Sequence, residues 1–132
     1  MIPIDEPSRH TVPAQERIEI LDRISRAITQ AERSTMDLTG GQAVCQLHKD
    51  GRVTGGVKYR EGRLVALYNL RRRVAALEDG ELARASDEVW DECATWQEII
   101  DRQRNTERPS VSWLAYGQGG MDACQGIMQQ LP

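Results

Sequence analysis

Apolar and polar residues alternate along residues 42–70, QAVCQLHKDGRVTGGVKYREGRLVALYNL, in the middle of the chain. Alternation with a period of two is typical of strands that bury one face, because successive side chains point to opposite sides of a sheet. The dipeptides Asp50-Gly51 and Glu61-Gly62 interrupt the alternation, and Asp-Gly between apolar runs is a strong signal for a two-residue hairpin turn. The pattern therefore predicts a meander of three antiparallel strands.

Two other stretches repeat apolar residues at helical spacing. Between residues 14 and 33 they recur every three or four positions, which predicts an amphipathic helix with one buried stripe. A second helix is predicted from Ser86, whose hydroxyl is followed by acids in the first turn, to about Arg104. Residues 70–79 form a further short helical piece, and it stays open whether 70–104 is one helix or two. The stripe predicted for the second helix follows 4-3-4 steps and comprises Val89, Cys93, Trp96 and Ile100.

The last part of the chain predicts a fourth strand at 110–116, a glycine-rich turn at 117–120 and a helix at 121–130. The element order is then α-βββ-α(α)-β-α. It predicts an α+β fold with a four-stranded, mainly antiparallel sheet and helices packed on one face. Residues 1–12 contain two prolines and mostly polar groups, so we expect a flexible N-terminal arm followed by a single domain at 13–132.

Composition narrows the class of protein. The chain has 132 residues, a length that suits one domain. Its net charge of −3 argues neither for wholesale nucleic-acid binding nor against solubility. Cys45, Cys93 and Cys124 are odd in number and widely spaced, which predicts reduced thiols in a cytoplasmic protein. The first residues lack the basic and apolar segments of a signal peptide, and no stretch has the length of a membrane span. Cationic residues are 15 arginines and 2 lysines, a bias that suggests a high-GC genome and a bacterial or phage source.

The sequence predicts no catalytic residue, no metal site and no cofactor. Cys45 and His48 are three positions apart on a predicted strand, so their side chains point to opposite faces. No second Cys or His pair is present to complete a zinc site. A thiol enzyme remains an alternative with less support, because it would need a cysteine of depressed pKa. The prediction is therefore a protein that is not an enzyme.

Charge is distributed unevenly along the chain. Residues 49–73 hold eight basic and two acidic side chains, whereas residues 74–107 hold three arginines and ten acids. A basic sheet edge in the first segment could bind phosphates, which makes nucleic-acid binding an alternative function. The competing explanation is that the two segments pack together and neutralise each other. The nucleic-acid alternative would use Lys58, Arg60, Arg63, Arg71, Arg72 and Arg73.

Trp90 lies about a quarter-turn from the predicted buried stripe of its helix. Asp87, Asp91 and Glu98 cluster on the outward side of the same helix. An exposed tryptophan beside an acidic stripe is typical of a binding hot spot for a basic partner, although another element could instead cover Trp90. The first function hypothesis is therefore a protein–protein interaction module, such as an adaptor, inhibitor or accessory protein. Its partner would be a protein with a basic surface or a second copy of the chain in a homodimer.

Overall fold

A computed structural model describes the backbone of residues 5–39, 55–78, 81 and 84–131, and the side chains from residue 16 to 37, from 56 to 78, at 81 and from 84 to 131. Across these residues the chain forms helices and no strand. The predicted α+β fold with a four-stranded sheet is therefore wrong. The described helices are α1 (Asp5–Thr39), α2 (Gly55–Ala75), α3 (Ala85–Arg104) and α4 (Val111–Gln130).

Helix α1 extends beyond the predicted 14–33 at both ends, and residues 5–12, assigned to an arm, form its first turns. Its buried stripe is Ile20, Ile24, Ile28 and Ala31. These positions are separated by steps of four, four and three, so they share one face, which packs against α2. Ile18 is one of the apolar residues at helical spacing within 14–33, but it is 64% exposed.

Helix α2 replaces the second and third predicted strands. Leu67, Leu70, Val74 and Leu77 are buried and follow 3-4-3 steps, so the segment also satisfies a helical period. Glu61-Gly62 is part of the helix and forms no turn. The strand prediction failed because the alternating pattern and the helical pattern overlap in this segment. The first predicted strand and most of its hairpin lie at 40–54, outside the described residues.

Glycines bring α2 and α4 into direct backbone contact. A Cβ at Gly62 would lie 2.0 Å from the carbonyl oxygen of Tyr116, and a Cβ at Gly119 would lie 2.0 Å from that of Tyr59. Only a hydrogen fits at these two positions, so the glycines set the helix separation. Gly120 similarly receives the Trp96 ring, 2.1 Å from the position of its absent Cβ.

The predicted fourth strand at 110–116 and the turn at 117–120 are also wrong, because both belong to α4. Ser110 is the N-cap, and its Oγ accepts a hydrogen bond from the backbone N–H of Trp113 at 3.3 Å. Such a cap satisfies one of the free N–H groups of the first turn. The predicted helix at 121–130 is the second half of the same helix.

Helix α3 confirms the predicted buried stripe: Val89, Cys93, Trp96 and Ile100 are all buried. The helix begins after Arg84, which provides no side-chain cap, so Ser86 lies inside the first turn. Helix α2 ends at residue 75 and α3 begins at residue 85, which answers the open question with two helices. Helix α2 contacts α1, α3 and α4, and α3 packs on α4.

Candidate functional site

A groove runs between the exposed faces of α3 and α4. It has a volume of about 540 Å³. On each helix its residues recur every three or four positions, so each helix contributes one face over about two turns, roughly 10 Å of helix. We call this feature the Trp90 groove. It is lined by Trp90, Cys93, Ala94 and Gln97 of α3 and by Met121, Gln125, Met128 and Gln129 of α4.

Trp90 forms one edge of the groove and is 64% exposed. Its neighbour Val89 is fully buried and points into the core. The two side chains diverge because successive residues are about 100° apart around a helix. Within the part of the chain that the structure describes, Trp90 is uncovered. The side chains of the predicted N-terminal arm, residues 1–12, lie outside that part. Singly exposed apolar side chains such as Ile18 are normal on a protein surface, so the position of Trp90 on the border of a groove is what distinguishes it.

The floor of the groove is apolar and its edges are polar but uncharged. Cys93 and Met121 form the floor and are 7% and 6% exposed. Methionine is flexible and polarisable, so it can adapt to an inserted side chain. Amide side chains of Gln97, Gln125 and Gln129 line the edges, where each can both donate and accept hydrogen bonds. The groove can thus bind apolar groups in its centre and polar groups at its edges.

The predicted acidic residues lie on the flank of α3 beside the groove. Asp87 and Asp91 are exposed, and no hydrogen bond or ion pair joins their carboxylates to any residue that the structure describes. Glu98 is exposed as well but is paired with Arg102, whose Nη2 lies 2.6 Å from the Glu98 Oε1. The helix therefore has two uncompensated charges near Trp90, and its third predicted acid already has a partner.

A buried carboxylate fixes α3 in place behind the groove. Glu92 is 2% exposed. Its Oε2 accepts hydrogen bonds from Asn69 Nδ2 at 2.9 Å and Trp96 Nε1 at 2.8 Å. Its Oε1 accepts one from Arg73 Nε at 2.9 Å. Three donors, one of them cationic, compensate the cost of burying the charge. Since Asn69 and Arg73 lie on α2, this network joins α2 to α3.

The two described cysteines are poor candidates for a nucleophile. Burial raises the pKa of the Cys93 thiol, and it raises the pKa of Cys124 strongly. A catalytic cysteine needs the opposite shift, since the thiolate is the reactive form. Both thiols are free and buried, as the sequence predicted, whereas Cys45 and His48 lie outside the described residues. The burial of Cys93 and Cys124 therefore provides no support for the thiol-enzyme alternative.

The basic residues of the nucleic-acid alternative lie on a helix, so the predicted sheet edge is absent from this segment. Lys58 is 6% exposed, pairs with Glu61 at 3.3 Å and lies 4.7 Å from the centroid of the Trp113 ring. Arg73 is occupied by Glu92. Two of the six cations are thus used inside the protein.

Of the remaining four predicted cations, only Arg71 and Arg72 are exposed. Arg60 stacks over Tyr59, with 5.9 Å between the guanidinium carbon and the ring centroid, and Arg71 stacks over Tyr68 at 5.4 Å. Arg72 is exposed and donates to Asn69 Oδ1 at 2.6 Å. Arg63 is half-buried. They form no continuous basic stripe of the kind that follows a phosphate backbone.

Sequence reasoning found the α3 side of the groove and missed the α4 side. Met121 and Met128 are seven positions apart, which is two helical turns, and this spacing was the available signal. This spacing lies within the predicted helix at 121–130, but it does not show which face of that helix packs beside α3. The described helices contain no cluster of three potential metal ligands. Within the same residues, no helix combines the length and apolar character needed to cross a bilayer.

The amino-acid sequence was compared with protein-family models and curated proteins, and the structure with solved structures; none of the three comparisons found a match.

Proposed function

We propose that this chain is a non-enzymatic protein–protein interaction module, a small cytoplasmic adaptor, inhibitor or accessory protein that binds its partner through the Trp90 groove. One observation carries the proposal: a tryptophan that is 64% exposed borders a groove with an apolar floor. Tryptophan is among the residues most enriched in binding hot spots, and hot spots insert into or surround such depressions.

The free energy that a partner would gain by covering Trp90 supports this assignment. A tryptophan can bury up to about 250 Å², so covering the exposed part of Trp90 would remove roughly 150 Å² of surface from water. At about 25 cal/mol per Å² this is worth about 4 kcal/mol before the cost of association. An exposed ion pair at Asp87 or Asp91 is worth only about 0–1 kcal/mol. Trp90 is therefore expected to dominate the affinity, and the acids to influence orientation and selectivity.

The test compares matched variants in a quantitative capture from lysate of the native host. Wild type, Trp90→Ala and Ile18→Ala are immobilised in equal amounts after nuclease treatment. Ile18 is the matched control because it has the same exposed fraction, 64%, but lies on α1. The proposal predicts a specific protein that is retained by wild type and Ile18→Ala and reduced at least tenfold by Trp90→Ala. Equal retention by all three chains would contradict it.

Nucleic-acid binding through the arginines of α2 is the alternative, and it has less support. Arg71 and Arg72 are exposed at the C-terminal end of that helix. Binding through them predicts an affinity that falls steeply with salt, and retention of protein in the capture that disappears after nuclease treatment. An Arg71→Gln/Arg72→Gln variant would then lose binding, whereas Trp90→Ala would not.

A further inference from the structure

We propose that the occupant of the Trp90 groove is one amphipathic helix of a protein partner, with lysine or arginine residues along the flank that faces α3. This inference rests on the proposed function and adds the chemistry of the partner. The groove covers about two turns of each of its helices, which matches an occupant that inserts apolar side chains at positions i, i+3 or i+4, and i+7.

The surfaces on the two sides of the groove differ in charge, and this difference specifies the occupant. On α3, Asp87 lies one turn before Trp90 and Asp91 directly follows it, and both carboxylates are uncompensated. On α4, Gln125 and Gln129 line the opposite edge and are neutral. A bound helix would therefore meet negative charge on one flank and amides on the other. Basic residues fit the first flank, and uncharged polar residues fit the second.

Charge also varies along the groove. Beyond Gln97, the side chain of Glu98 is paired with Arg102, and Asp101 accepts a hydrogen bond from Gln97 Nε2 at 2.9 Å. Among the described carboxylates beside the groove, the two with neither a hydrogen bond nor an ion pair, Asp87 and Asp91, lie at the end near Trp90, although Asp101 also keeps its charge. We expect the basic residues of the partner to be concentrated at that end, next to the side chain that Trp90 covers.

The experiment uses three fluorescently labelled, hydrocarbon-stapled helical peptides with the same apolar stripe. Their flanking positions carry lysine, glutamine or glutamate, and binding to the full chain is measured by anisotropy at 50 and 500 mM NaCl. The lysine peptide is expected to bind at least tenfold tighter than the glutamate peptide at low salt, with the ratio shrinking at high salt. Asp87→Asn/Asp91→Asn should abolish this ratio. The control Glu19→Gln/Asp37→Asn changes the net charge equally on the exposed face of α1 and should preserve it.

The outcomes separate the two claims. Binding that needs Trp90 but ignores the flank charge would overturn the basic-helix inference and leave the proposed function standing. Binding that is absent, or unchanged in Trp90→Ala, would overturn the helix inference, and the lysate capture with Trp90→Ala would then decide on the proposed function. The remaining outcome comes from light scattering, which measures the oligomeric state of the chain alone. If the chain is a dimer and Trp90→Ala makes it a monomer, the groove binds a second copy of the chain, and the inference is overturned.

Discussion

Trp96 donates its indole N–H to Glu92 Oε2, 2.8 Å away and one turn earlier on α3. The same carboxylate binds Asn69 and Arg73 of α2, so one buried charge positions the tryptophan ring and joins two helices. The ring in turn lies over Gly120 of α4. Trp96 is therefore part of the core, whereas Trp90 on the same helix is exposed at the groove.

Glu92→Gln should destabilise the fold by about 2–4 kcal/mol, because glutamine offers one acceptor oxygen to three donors and leaves Arg73 without its closest anion. Urea unfolding at pH 7 measures the change. Glu98→Gln is the control, since this residue lies on the same helix in an exposed pair with Arg102 and should cost less than about 0.5 kcal/mol. Similar losses in both variants would contradict the assigned role of Glu92.

Two glycines of α4 should respond oppositely to alanine. Gly119→Ala places a Cβ 2.0 Å from the Tyr59 carbonyl oxygen, so α2 and α4 must separate, at an expected cost of more than about 3 kcal/mol. Gly126→Ala meets no atom within 4 Å and should stabilise the helix by about 0.5–1 kcal/mol. Thermal unfolding measures the change in stability of both variants. A tolerated Gly119→Ala would contradict the close helix contact.

These glycines also show what the sequence could and could not predict. Local rules treat glycine as a turn or strand-breaking signal, and Gly62 and Gly119 were interpreted in that way. Their actual role depends on the backbone of a helix far away in the chain, which no local pattern records. By contrast, the stripe containing Val89 and the outward direction of Trp90 followed from helical spacing alone. The candidate site was therefore half predictable, because the pairing of its α4 edge with α3 depends on how the two helices pack, which local spacing does not record.

The thiols of Cys93 and Cys124 should resist alkylation in the native state. Burial raises the pKa of both groups and also blocks access, so at pH 8 we expect reaction with iodoacetamide more than about tenfold slower than in 6 M urea. A Cys45→Ser background restricts the readout to these two thiols, and mass spectrometry of digested protein assigns the products. Rapid native alkylation at either position would contradict their burial beneath the groove and in the core.

Stability should fall as the pH rises above about 9. The pKa of Tyr59 is raised by burial and by its hydrogen bond to Asp122, and burial also raises the pKa of Tyr116 and of Cys124. Each group keeps its proton to a higher pH in the folded state than in the unfolded state. Its contribution to the free energy of unfolding is therefore complete below the pKa of the unfolded state, and it is lost as the pH rises through the pKa of the folded state. Urea midpoints at pH 7, 9 and 10 measure this decline. Tyr59→Phe should make it shallower, and a flat profile in wild type would contradict the shifts.

Trp90→Ala should lower the free energy of unfolding by no more than about 2 kcal/mol, because most of its side chain is already in water. Trp96→Ala, on the same helix, should cost about 3–5 kcal/mol because its ring is 2% exposed and fills the space above Gly120. Urea unfolding measures the change in the free energy of unfolding for both variants. A large loss in Trp90→Ala would show that this side chain is part of the core.

Site-specific photocrosslinking tests the groove most directly as a docking surface. A benzoylphenylalanine is placed in the full chain at Gln97, which lines the groove, or at Gln30, an exposed glutamine of α1, and is activated in cells of the native host. The account predicts a discrete crosslinked protein from position 97, none from position 30, and loss of the product when Trp90→Ala is added. A product from position 30 alone, or one from position 97 that persists without the Trp90 ring, would contradict it.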